Sequence, residues 1–445
     1  MTLGFHRREH QKLREGVNFT LNNNAFSIGA GGNFSTLEDA VAVAGDRLTL
    51  VNTFSANIAI FAASTTIVGT GTTWRTNKQL RVGDLLQIAG DTTKFHKVLE
   101  VATDTSITLG GGFDGTQIFP SAVTQIEVFR IDWASLILLP GQHVSPDTGI
   151  SLTPGLAICG LEKYSTILSE IDSAPPAPFI NFGENILSNF TLGPTDAWSD
   201  LDGIQSSPST SLWGGAVSIM DNMFIRCKDT GGDHGNGAGG LHVPSGGRSI
   251  VNNCEIEFEL LLQVNHGGRV TPTVNNTKIE MRNTTLRQVK SWWSYGGAVL
   301  PLPPTALRAD KAITYNLDDC TILIDHNADM SSTFDDPTGI HAVGAGIINL
   351  NRSRIRANNG QTISGINCPA SSTATVNVTN SDIEVLAGSG TGKGILTEDA
   401  GATVNVRGSR VKGNTNSLHA VAGTINYDTA STLLGTNTGG TALNT

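Results

Sequence analysis

The chain has 445 residues, a length that suits one elongated repeat body with a small accessory unit. Gly is abundant at 51 residues and charged residues are sparse at 15%, a balance that favours many short strands joined by turns. The formal net charge of −10 argues against a general nucleic-acid binder, and no run reaches the ~18 apolar residues of a spanning helix, so neither nucleic acid nor membrane insertion is expected.

Residues 1–32 begin with a charged stretch without an apolar core, which is not the pattern of a secretory signal peptide. They continue as a polar, Gly-rich tether and read as a docking segment. Ser35-Thr36-Leu37-Glu38 reads as a capping box, with Ser35 as the cap and Glu38 reaching back. A helix over 36–44 then presents Leu37, Val41 and Ala44 on one face, Gly45 stops it, and a strand over 47–52 follows. Together, 33–52 are expected to form a capping helix and a first strand.

Residues 53–131 differ in texture. Strand-like runs alternate with turns at Gly83-Asp84, Gly90-Asp91 and Phe113-Asp114-Gly115, the pattern of an inserted small all-β module. The run from Val68 through Trp74, with Val82-Gly83-Asp84 and the run from Asp104 to Leu109, resembles a β-module of phage tail and baseplate proteins. Phe34-Ser35-Thr36-Leu37-Glu38-Asp39-Ala40, taken with Ile137-Leu138-Leu139-Pro140-Gly141, resembles the opening of pectate-lyase-like right-handed parallel β-helices.

From Asn185 to Lys412 one template recurs: apolar, polar, apolar, two polar residues, a small residue, polar, aliphatic, charged. Its small-residue column is Phe190, Met223, Cys254, Thr284, Cys320, Ser353, Ser381 and Ser409. Three residues earlier stand Leu187, Met220, Val251, Met281, Leu317, Leu350, Val378 and Val406. Two later stand Leu192, Ile225, Ile256, Leu286, Ile322, Ile355, Ile383 and Val411. Period-2 alternation on both sides of a bend predicts two strands per copy, each with one buried face. The bend column is Asn189, Asn222, Asn253, Asn283, Asp319, Arg352, Asn380 and Gly408, residue types that tolerate a left-handed backbone, apart from Arg352. The Asn and Asp members are expected to form a structural ladder that breaks at Arg352.

Outward charges alternate in sign: Arg226, Glu257 and Arg287, then Arg356, Glu384 and Lys412, with Arg354, Asp382 and Arg410 beside them. Rungs ~4.8 Å apart would favour that alternation only in parallel, in-register stacking. Gly240-Leu241, Gly339-Ile340, Gly365-Ile366 and Gly394-Ile395 mark a third strand. The expected fold is all-β: a right-handed parallel β-helix of three strands per rung over 132–425. Residues 426–445 are expected to serve as a C-terminal cap or trimer-contact tail.

Cys159, Cys227, Cys254, Cys320 and Cys368 have no CxxC or CxH spacing and read as buried free thiols, and no metal or cofactor is expected. Long excursions leave the rungs after the second strand. They carry Trp198 with Trp213 just beyond, Asp229, Asp233 and His234, Trp292, Trp293 and Tyr295, and Asp325 and Asp329. Aromatic rings beside carboxylates suit carbohydrate, since rings stack on sugar C–H faces and paired carboxylates serve as acid and base. Asp229, Asp233, Asp325 and Asp329 are therefore the candidate catalytic residues. Trp198, Trp213, Trp292, Trp293, Tyr295 and His234 are the candidate substrate contacts. The same residues also suit loop packing and solvated turns. His242, His341 and His419 share one outward column and read as surface histidines. Ile324-Asp325-His326 is similar to a pectate-lyase motif, but that motif's Trp and the family's Arg are absent, so lyase activity is not carried over.

Taken together, the chain resembles bacteriophage tailspikes and tail fibres. That resemblance implies a virion tail protein made without a signal peptide, a homotrimer docked on tail or neck proteins through its N-terminal segment. It also implies binding to host surface polysaccharide for adsorption, with or without cleavage. The alternatives are a non-enzymatic structural virion protein or adhesin of the same fold, and a free polysaccharide lyase or hydrolase.

Overall fold

The computed structural model describes residues 25–442 except 46, 62–63, 89–90, 111–117, 119–122, 146–149, 163–165, 170–178, 181–183, 195–211, 214–216, 228–247, 261–268, 271–276, 292–304, 310–312, 326–337, 359–361 and 389. The chain winds as a parallel β-helix, with two sheets running its length and a third joining them from Arg269–Val270 onward. The first is 13-stranded, from Ala25–Ile28 through Ala134–Leu138 to Gly440–Ala442, and every neighbouring pair in it is parallel. The second runs from Gln142–Ser145 to the first half of Arg410–Ala420. The third runs from Arg269–Val270 through Thr305–Ala309, Thr338–Ala342, Thr362–Cys368 and Thr391–Thr397 to the second half of Arg410–Ala420. That long strand turns the corner without a break and so joins the second and third sheets into one hydrogen-bonded ladder.

The repeat explains this architecture. All three aligned columns are buried, from Leu187 and Phe190 to Val406, Ser409 and Val411, and apart from Thr284, Ser353, Ser381 and Ser409 they belong to one continuous apolar core. Each fully buried Leu or Ile contributes about 1.5–3 kcal/mol, so the core stabilises every rung by a similar amount. At the bend, Asn189, Asn222, Asn253, Asn283, Asp319, Arg352, Asn380 and Gly408 all take positive φ, between 46° and 59°. The left-handed residue turns the chain from the first sheet into the second, which is why short amide and carboxylate side chains dominate the column.

The side-chain ladder differs from the expected one. Asn222 Nδ2 donates to Asn189 Oδ1 (2.7 Å) and Asn283 Nδ2 to Asn253 Oδ1 (2.9 Å). Asn253 instead donates to Asp221 (2.9 Å). The column does not break at Arg352. Its guanidinium donates to both Asp319 oxygens and to Asp318, raising the Arg352 pKa and lowering that of Asp319. A second ladder, unmarked by the repeat template, stands on the outer face of the first sheet. Asn349, Asn377, Asn405 and Asn426 each donate to the Asn one rung before, beginning at Asn316, over 2.8–3.0 Å.

The alternating charges meet in register. Arg354 faces Asp382 and Asp382 faces Arg410, while Arg356 faces Glu384 and Glu384 faces Lys412. The nitrogen–oxygen separations are 3.6, 2.7, 3.4 and 2.9 Å in that order.

The helix Leu37–Ala44 lies over the first rung, with Leu37, Ala40, Val41 and Ala44 buried in the main core. Thr36 is its cap, accepting from the Asp39 N–H, so the cap falls one residue after Ser35. The strand expected over 47–52 forms as Leu48–Ala59 and pairs antiparallel with Val123–Ile131, outside the β-helix. The first rung strand is Ala25–Ile28, inside the segment read as a tether. Leu48–Ala59 joins Thr66–Thr70, Leu85–Ile88, Asp91–Thr103, Ser106–Leu109 and Val123–Ile131 in a separate sheet with its own core around Trp74, Ile58 and Val128. Asp84 and Asp104 tie its turns. Asp84 accepts from Arg130 and from the Arg81 N–H, and Asp104 from the Arg75 and Thr76 N–H groups and the Thr76 hydroxyl. Two contacts fix this sheet to the rungs. The Lys97 ammonium lies 2.6 Å from Glu184, which also accepts from the Val217 N–H. Strand Leu212–Trp213 pairs with Phe95 and His96.

At the far end, Thr424–Tyr427, Thr432–Thr438 and Gly440–Ala442 continue the register of the rungs, so the tail extends the helix. Cys254, Cys320 and Cys368 are buried thiols outside any disulfide, and burial pushes the Cys320 thiol up to about 11 and the Cys368 thiol up to about 12. A thiol reagent at pH 8 is therefore expected to leave both unlabelled until the chain unfolds, because the thiolate is the reactive species. Rapid labelling of either under native conditions would contradict their place in the core.

Candidate functional site

The topology fixes where the excursions stand. The segments 170–178, 195–211, 228–247, 261–268, 292–304, 326–337, 359–361 and 387–390 each begin where a second-sheet strand ends. Within 132–425 the crossings from the first sheet into the second at the bend column are short throughout, so the long insertions depart from one end of the second sheet's strands.

Most of the predicted site residues fall on these insertions. Trp198, Asp229, Asp233, His234, Trp292, Trp293, Tyr295, Asp329 and His242 lie outside the described residues. Asp325 ends the strand Thr321–Asp325, opposite Asn358 in the next rung, where the excursion 326–337 departs. Trp213 lies on the short strand paired with the separate sheet, which places its backbone against that sheet rather than on a rung.

The third sheet supplies the rest of the site. Its strands share the pattern polar–Gly–Ile–polar: Thr338-Gly339-Ile340-His341, Ser364-Gly365-Ile366-Asn367, and Lys393-Gly394-Ile395-Leu396. Ile340, Ile366 and Ile395 point into the core, and a Cβ on the glycine would meet the second sheet's core side chains. The flanking residues therefore face outward. In register they form two columns. One reads Thr338, Ser364, Lys393 and Asn416, and the other Arg308, His341, Asn367, Leu396 and His419.

An outward face of this kind would ordinarily be solvated. Here Thr338 and Ser364 are 0% exposed, His341 5%, Asn367 7% and Asn416 8%. The surface reading of His341 is corrected: the residue is covered, and His419 is half-buried. Among the described residues, Ser364 Oγ, Asn367 Oδ1 and His419 Nδ1 have no hydrogen-bond partner. A buried polar atom without a partner costs about 1–3 kcal/mol, so a face carrying several is unusual unless something else satisfies them. Burial depresses the His419 pKa, Lys393 depresses it further, and Glu398 at the strand's end opposes the shift. At neutral pH the imidazole is then uncharged, with Nδ1 free to accept or donate. The first sheet also carries a buried hydroxyl without a partner among the described residues, at Ser249, while its outward asparagines satisfy one another along their column.

Across its two columns the strip carries two hydroxyls, two amides, two imidazoles and an ammonium on strands ~4.8 Å apart. Ser364, Asn367, Lys393 and Asn416 were not singled out from the sequence. The signal was present in the residues flanking the Gly–Ile pairs, but their burial depends on what covers them.

No protein-family model matches the sequence, and no curated protein does. Solved structures similar to the chain include phage tailspikes and glycan-active β-helix enzymes. The tailspike protein gp49 from Pseudomonas phage LKA1 aligns at 12% identity and TM-score 0.35, over 84% of this chain and 66% of that one. The tailspike gp61 of Pseudomonas phage phi297 aligns at 10% identity and TM-score 0.32, over 86% and 63%. The A-module of the Azotobacter vinelandii mannuronan C-5 epimerase AlgE4 aligns at 12% identity and TM-score 0.33, over 70% and 91%. The parallel β-helix itself rests on the chain's own strand register.

Proposed function

We propose that the chain is a tailspike-type adhesion protein that binds a polysaccharide on the surface of a bacterial host, along the edge between the second and third sheets. The observation that carries this reading is that the segments bearing the aromatic and carboxylate candidates each follow the end of a second-sheet strand, at one edge of the parallel β-helix. A chain of sugars supplies hydroxyl donors and acceptors at close spacing and lies along a straight strip without bending. Trp198, Trp292, Trp293 and Tyr295 on the neighbouring insertions are the proposed stacking residues. Asp229, Asp233, Asp325 and Asp329 are the proposed acid and base should the glycan be cleaved. In this reading residues 1–24 dock on the tail, the inserted sheet sits at the mouth of the β-helix, and three chains assemble side by side.

Retention on host cells tests the reading. Labelled protein is expected to coat bacteria bearing intact surface polysaccharide and to be lost from cells stripped of it. Equal retention on both would contradict it. Cleavage would appear as new reducing ends on incubation with the purified polysaccharide, and light scattering that gave a monomer mass would remove the trimer.

A further inference from the structure

From Thr314 onward the outward face of the first sheet avoids charge. Register lines up Thr314, Ile347, Thr375, Thr403 and Thr424 in one column and Asn316, Asn349, Asn377, Asn405 and Asn426 in the next. All are half-buried or exposed, with Ile347 44% exposed, so the face is open to a partner. Neither column holds a charged side chain over these rungs. The second sheet beside them carries Arg354, Arg356, Asp382, Glu384, Arg410 and Lys412 outward. Of the charges at the margins, Glu280, one rung before Asn316, is bonded by Arg248, and Asp318 is bonded by Arg352. The amides bond along their own column, a use that leaves each inner member one N–H and one oxygen lone pair. Thr and Asn suit any solvated strand and ladder, and the exclusion of charge is what sets this face apart.

We infer that copies of this chain meet through this face, each rung against the same rung of its neighbours. The inference rests on the reading that three chains stand side by side, and it names their contact. Chains related by an axis parallel to the β-helix present every residue to its own counterpart at the same height. A column of ions would then face like charge and repel. The alternating ions of the second sheet are of that kind, because their partners lie one rung above and below. Asn, Thr and Ile tolerate the arrangement. An amide or a hydroxyl both donates and accepts, so each can bond its own kind, and Ile347 packs on Ile347 of the next copy. The excursions leave from the corner between the second and third sheets, a corner in which the first sheet takes no part. A contact through the first sheet therefore leaves that corner free for a glycan.

The test reads the mass of the full chain by light scattering at one fixed concentration. The wild type is expected at three times the single-chain mass. Thr403→Glu and Thr403→Lys, each prepared alone, set like charge against like and are expected at the single-chain mass. Coexpressed, the two are expected to recover the assembled mass, which a variant that merely failed to fold would not do. Ile347→Cys supplies a separate measurement. Under mild oxidation it is expected to form a disulfide joining position 347 of one copy to position 347 of another, identified by peptide mapping. A wild type at the single-chain mass would remove the side-by-side reading and this inference with it. An assembled wild type leaves that reading standing, and three results would then overturn this inference alone. They are Thr403 variants that stay assembled, coexpression that recovers nothing, or no disulfide at position 347.

Discussion

Replacing Gly365 with alanine is expected to cost about 3 kcal/mol of stability, although it adds a single methyl group. The backbone there is unstrained, so the cost is one of space. A Cβ at Gly365 would lie 2.6 Å from Ile383 Cγ2 and 2.7 Å from the Gly394 carbonyl oxygen. Gly339 and Gly394 are built alike, each against a second-sheet side chain and the carbonyl of the next rung. This glycine column is what allows the third sheet to lie flat on the second. The expected order of melting temperatures is wild type, Gly365→Ala, then Gly365→Val. Adding Ile383→Ala to Gly365→Ala should not restore stability, because the carbonyl clash is with backbone and the second change opens a cavity of its own. A stable Gly365→Val protein would show that the third sheet does not pack as described.

Glu384 carries the second large effect. It is 13% exposed and sits among Arg356, Arg410 and Lys412 at 3.4, 3.5 and 2.9 Å. The bond from Lys412 and the three positive charges hold its pKa below the ordinary carboxylate range, although burial opposes them. Glu384→Gln leaves three cations facing one another without a counter-charge. A partly buried site of this kind should lose about 2 kcal/mol, between the values for exposed and for buried pairs. The pH dependence has a defined sign. A carboxylate whose folded pKa is depressed stabilises the fold above its unfolded value of about 4.3, and that stability fades as pH falls below it. The wild type is therefore expected to lose melting temperature below about pH 4.5, and Glu384→Gln to lose less over the same interval. Identical pH profiles for the two proteins would remove Glu384 from this role.

The scaffold was legible because its constraints repeat. Ile322, Ile355 and Ile383 occupy one column, and each tests the spacing of the others. Asn222, Asn253 and Asn283 likewise need one backbone conformation, and each adopts it. Legibility fell where a residue's role depends on a partner remote in sequence. Arg352 looked like a break in a ladder because nothing in its own copy shows that Asp318 and Asp319 stand one rung away. Leu48–Ala59 reads equally well as a rung strand or a sheet strand, and its pairing with Val123–Ile131 decides between them. Ala25–Ile28 offers only Phe26 and Ile28 as a pattern, too short to stand out from a polar segment. The candidate site was harder still. Ser364 and Asn367 are ordinary polar residues in the sequence, and only their burial on an outward face sets them apart.

The central claim is that the edge between the second and third sheets holds the polysaccharide. A crystal structure of the protein soaked with an oligosaccharide from the host surface glycan tests it most directly. Sugar density is expected along that edge, beside the ends of Thr321–Asp325, Arg354–Asn358 and Asp382–Leu386. Density on the Asn316–Asn426 face of the first sheet, with that edge bare, would contradict the account.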